Sequence, residues 1–161
     1  MGSGKTYWGK IWADKLHYEF LDLDDQIELE SGMKITDIFD QYGEEKFREL
    51  EKGQLRKFGT GERKMISCGG GAPCFHGNMD WMLQNGIVIY LKASPNYIYG
   101  RISGEIEKRP LLKKQTTTQL PEYITRKLEE REPEYNRAHY IFDVDNLDED
   151  SIQLAIKGID H

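Results

Sequence analysis

The chain has 161 residues, two cysteines, 31% charged side chains and a formal net charge of −6. That length supports one domain around one sizeable core, and the acidic balance excludes nucleic acid as the main partner, since a surface for a phosphate backbone needs an excess of Lys and Arg. No apolar run approaches the roughly 18 residues of a membrane span, no secretory signal is recognised, and the mean hydropathy of −0.70 with so few cysteines predicts a soluble, cytoplasmic protein in a reducing compartment; a monomer is the expectation, though neither property derives it.

Met1-Gly2-Ser3-Gly4-Lys5-Thr6 matches the second half of the phosphate-loop pattern G-x-x-x-x-G-K-[ST], whose first glycine would fall two residues before Met1. Such glycines let backbone N–H groups converge on a phosphate, the lysine adds a point charge, and the threonine hydroxyl can hold Mg²⁺. Thr6 to His17 reads as an amphipathic helix on Trp8, Ile11, Trp12 and Leu16, with its positive N-terminal end at the phosphates. Glu19 to Asp22 reads as a strand, followed by a helical stretch from Asp25 to Phe58 with breaks at Gly32, Gly43 and Gly53. Lys64 to Ser67 is a second strand, Asn78 to Gln84 a helix, and Gly86 to Leu91 the clearest buried strand. Asn96 to Ile106 is helical, Lys108 to Pro121 a basic loop, and Glu122 to His139 a charged helix disturbed near Pro133. Tyr140 to Val144 and Ser151 to Ile159 close the chain as strand and helix. Strands alternating with helices predict an α/β fold, a parallel sheet with helices on both faces.

Ligands of such folds gather at the carboxyl ends of the strands. Asp22 and Asp24 lie on one side of an extended chain, where one carboxylate could serve Mg²⁺ and the other could accept a proton from an attacking hydroxyl. The competing reading is an acidic turn that caps the next helix, with Asp25 the better cap. Gly69-Gly70-Gly71 follows a strand end and is either a close-approach ligand loop or a flexible turn. Arg48 and Arg131 are candidates for a two-pronged grip on a substrate carboxylate, against the alternative of solvated surface arginines. Arg109, in Arg109-Pro-Leu-Leu112, is a candidate lid arginine. Cys68, Cys74 and His76 fit no common zinc spacing and read as packed side chains.

Taken in order, Met1-Gly-Ser-Gly-Lys-Thr6, Phe20-Leu-Asp-Leu-Asp-Asp25, Ile38-Phe39 before Gly43-Glu44, Phe47-Arg48-Glu49-Leu50-Glu51, Gly69-Gly-Gly-Ala72, Arg109-Pro-Leu-Leu112 and Arg131-Glu-Pro-Glu-Tyr135 resemble shikimate kinase over nearly the whole chain. The resemblance implies a three-layer P-loop kinase fold and ATP-dependent, Mg²⁺-assisted phosphorylation of the 3-hydroxyl of shikimate, on the route to chorismate and aromatic amino acids. It implies that Gly2, Ser3, Gly4, Lys5 and Thr6 hold the ATP phosphates, with Arg101 and Arg109 on the nucleotide, and that Thr6 with Asp22 holds Mg²⁺. Asp24 becomes the base, with Lys5 and Arg109 as the other catalytic groups. Arg48, Arg131, Gly69, Gly70, Gly71, Phe39, Phe47 and Glu51 then bind shikimate or brace its pocket. The resemblance also makes residues 1–161 one kinase domain, with a substrate-binding helical segment at about 25–58 and a lid at about 108–121.

The family sheet has five parallel strands in the order 2-3-1-4-5, and this chain has no residues for strand 1. Loss of a central strand leaves two open edges or forces the sheet to close. The expectation is that Met1 is internal to the natural protein and that about ten residues precede it, enough for a strand and the loop's start. Two other readings stay open: a nucleotide- or shikimate-binding module without turnover, and a kinase for another carboxylate-bearing polyol such as gluconate.

Overall fold

The computed structural model describes residues 2–59, 63–103 and 118–157. Helix α1 (Lys5–Leu16) starts directly behind Gly4, which caps it in the left-handed region at φ 88°, a conformation that glycine adopts without a Cβ penalty. Strand β1 (Glu19–Asp22) leads into α2 (Leu23–Ser31), and Gly32 closes that helix at φ 68°. Helix α3 (Ile35–Leu55) is broken at Gly43 (φ 79°) and continues through Gly53, which the sequence marked as a break. The α2–α3 corner is tied by Glu28, which accepts from the Ile35 N–H at 2.9 Å and pairs with Lys34 at 2.7 Å.

Strand β2 (Lys64–Ser67) precedes one 3₁₀ turn at Ala72–Cys74 and helix α4 (Asn78–Asn85). Strand β3 (Ile89–Lys92) begins later than its apolar run because its partner β4 (Tyr140–Asp143) begins opposite it, with Ile89 beside Tyr140. Helix α5 (Pro95–Ile102) follows, then α6 (Leu120–Tyr135) and α7 (Ile152–Ile156). Leu120 and Pro121, expected in a loop, open α6 instead, because proline fits the first turn of a helix, where its missing N–H would be unpaired anyway. The same helix runs on through Pro133 and ends at Tyr135, four residues before its expected end. Its buried Leu120, Tyr123, Ile124 and Tyr135 hold it against the core despite the lost backbone hydrogen bond. No helix among the described residues is long and apolar enough to cross a membrane.

The strands form two parallel pairs, β1 with β2 and β3 with β4. Among the described residues β2 and β3 each keep one edge without a strand partner, and an apolar groove of about 450 Å³ runs past both. Two hydrophobic clusters support the halves. One joins Trp12, Ile98, Ile102, Ile124, Val144 and Ile152 around β3 and β4. The other joins Leu23, Ile27, Ile38, Phe47, Leu55 and Ala72 below β1 and β2. The carboxyl ends of β1 and β2 lie side by side, Asp22 opposite Ser67, and so carry the aspartates and the glycine triplet to the same end.

Candidate active site

A cleft of about 1150 Å³ opens at that end. The phosphate loop forms one wall, with Gly2, Gly4, Lys5 and Thr6 lining it, and the first turn of α1 directs its backbone N–H groups there. Ser3 is buried behind the loop and lines the groove instead.

Three oxygen groups from three elements meet beside the loop. The Thr6 hydroxyl donates to Asp22 Oδ2 at 3.1 Å and lies 3.5 Å from the Ser67 hydroxyl. Hydroxyl and carboxylate oxygens are hard donors of the type Mg²⁺ prefers, so the residues present fit that ion. Ser67 carries no motif; only the β1–β2 register brings it here. The other oxygen of Asp22 accepts the Asp24 N–H at 3.1 Å, so Asp22, and not Asp25, caps α2. Asp24 therefore reaches the cleft from the first turn of a helix and not by strand alternation, because the helix begins at Leu23.

Asp24 Oδ1 is buried and has no hydrogen-bond partner among the described residues. Burial first, and then the neighbouring Asp22 charge, raise its pKa to about 6, against the pull of Lys5 and Arg48. A carboxylate of that proton affinity is a better base than a solvated one.

Another wall of the cleft is built around Arg48 on α3. It is 4% exposed and pairs with the fully buried Glu51 at 2.8 Å. Its Nε and Nη2 both donate to Glu44 Oε1, at 3.2 and 2.9 Å. The spacings i−4 and i+3 put both carboxylates beside the arginine on one helix. The guanidinium lies over the rings of Phe47 and Phe75, at 5.0 and 4.4 Å from their centres. Gly71 packs so closely that a Cβ there would overlap the guanidinium. Burial pushes Glu51 up to about 7 against the attraction of Arg48. Phe39 stacks against Phe47 at 4.8 Å and completes that wall.

Arg131 enters the cleft from α6, close enough for its charge to act on Glu51 and Cys74. Gly69, Gly70 and Gly71 form the floor between the two arginines. Burial pushes the Cys68 thiol up to about 12, so it stays protonated and is no nucleophile. Among the described residues no three His, Cys, Asp or Glu side chains cluster as a metal site. Arg101 is exposed at the rim, where it donates to the Tyr97 hydroxyl at 3.1 Å. Arg109 and most of the expected lid lie outside the described residues.

The cleft thus joins the glycine–lysine–threonine loop to a buried carboxylate and two arginines. A shikimate kinase family model matches residues 1–159. The chain belongs to the shikimate kinase family. It is 40% identical to the shikimate kinase of Bacteroides fragilis over 160 residues, covering 99% of this chain and 89% of the relative. The Sulfurihydrogenibium shikimate kinase is 42% identical over 145 residues, covering 90% and 84%. Among solved structures, the Bacteroides thetaiotaomicron shikimate kinase superposes with a TM-score of 0.83 at 37% identity, covering 99% of this chain and 91% of that one. The Acinetobacter baumannii shikimate kinase, solved in complex with shikimate, gives 0.84 at 32% identity, covering 99% and 86%. These likenesses establish the α/β kinase fold and the transferase class, with ATP and Mg²⁺ as the shikimate kinase requirements.

Proposed function

We propose that the chain transfers the γ-phosphoryl group of ATP to the 3-hydroxyl of shikimate, with the residues of this cleft in the following roles. The observation that carries the assignment is the unpartnered Asp24 oxygen in one cleft with the phosphate loop and two arginines. Arg48 and Arg131 bind the acceptor's carboxylate, and the glycine triplet offers backbone N–H groups to its ring hydroxyls. Asp24 accepts the hydroxyl proton as the acceptor oxygen bonds to phosphorus and the bridging bond to ADP breaks. Lys5 and the N-terminus of α1 offset the charge on the phosphates. Thr6 and Asp22 would hold Mg²⁺, which neutralises phosphate charge when bound. The residues 25–58 then act as the acceptor-binding segment, and the cytoplasm is the compartment that fits two unpaired cysteines.

An assay of ADP release with and without shikimate tests this reading. ADP forming in step with shikimate 3-phosphate is the expected result. Nucleotide binding without turnover, or turnover on gluconate but not on shikimate, would overturn it. The Mg²⁺ assignment has its own test. Thr6→Val should cost about 10–100-fold in activity at fixed Mg²⁺, with Thr6→Ser recovering most of it. A Mg²⁺ titration curve unchanged in Thr6→Val would remove Thr6 from that role.

A further inference from the structure

All three carbonyls of the glycine triplet are held. Gly69 O accepts from the Ala72 N–H at 3.0 Å and Gly71 O from the Cys74 N–H at 2.9 Å, both within the same turn. The middle carbonyl, Gly70 O, is held from another element: it accepts the hydroxyl of Tyr135 on α6. Tyr135 is 8% exposed and packs on the Tyr90 ring at 4.8 Å. Arg131, one helical turn earlier, lies close enough for its charge to act on the Tyr135 phenol. Tyr135 lines the groove behind the triplet, while the triplet and Arg131 line the cleft.

Carbonyl and N–H point in opposite directions across a trans peptide. Drawing Gly70 O toward the groove therefore turns the Gly71 N–H toward the cleft. A glycine–glycine peptide has no Cβ to resist flipping. A flipped 70–71 peptide would present a carbonyl where the acceptor needs a donor. We infer that Tyr135 is a positioning residue for the acceptor: it locks the Gly70–Gly71 peptide with its N–H in the cleft. This rests on the kinase reading. Burial raises the affinity of the Tyr135 phenol for its proton, so it remains a donor.

The test is Tyr135→Phe, which keeps the ring against Tyr90 and removes only the hydroxyl. Wild-type turnover in the same assay checks the kinase reading separately. The expected result is a rise of roughly five- to tenfold in KM for shikimate, the loss of about one hydrogen bond, with KM for ATP unchanged. The change that saturating shikimate induces in the Gly71 amide resonance, followed by NMR on protein labelled with ¹⁵N-glycine, should shrink in the variant. An unchanged shikimate KM, equal rises in both KM values, or an unaltered shikimate-induced change at the Gly71 amide in a folded variant would each overturn the proposal.

Discussion

Asp24→Asn will reduce shikimate phosphorylation by about 10²–10⁴-fold, the range for loss of a positioned general base. Nucleotide affinity will stay close to that of the wild type. The two side chains have the same shape, so the α2 cap on Asp22, which uses the Asp24 backbone N–H, is untouched. Folding does not suffer either, because the native carboxylate is penalised by burial and by its neighbour Asp22. The amide cannot take the hydroxyl proton. The measurement is turnover by ADP release alongside calorimetric titration with a non-hydrolysable ATP analogue. An equal loss of analogue binding would contradict the role assigned to Asp24.

The second large effect falls on stability and binding together. Arg48→Met leaves the fully buried Glu51 without its ion-pair partner. Removing one member of a buried pair costs about 3–5 kcal/mol, which denaturant unfolding will read directly. The Glu44 contact contributes little to this loss, since Glu44 is 43% exposed and surface pairs are weak. Arg48→Met/Glu51→Leu should recover most of the stability, because no unpaired charge remains in the core. It should not recover shikimate binding, because the fork proposed to grip the carboxylate is gone. A double variant that regained both would show that Arg48 serves the fold alone.

Much of this was legible in the chain. The bounds of β1 and β2 followed from short apolar runs closed by an acidic turn and by glycines. Lys5, Thr6, Asp22, Asp24, Arg48 and Arg131 were named from residue type and order, and the fold brings them to one cleft. What failed were choices between equivalent local signals. Asp22, Asp24 and Asp25 are all good caps, and only the point where β1 stops pairing with β2 selects Asp22. Pro133 is a helix breaker by propensity, overridden in a helix whose two ends are anchored by buried Leu120, Tyr123, Ile124 and Tyr135. Ser67, Phe75 and Tyr135 were missed because each meets the cleft residues through a tertiary contact, and Glu44 was missed although its contact with Arg48 is local. For Glu44 alone a sequence signal existed, its four-residue spacing from Arg48.

The close approach of Gly71 to Arg48 has a consequence for how such a chain can change over time. The guanidinium cannot yield to a new methyl group, being held by two carboxylates and two aromatic rings. Positions 48 and 71 are therefore epistatic: the arginine has to shrink before the glycine can grow. Any lineage that takes the steps in the opposite order passes through a variant with a broken pocket.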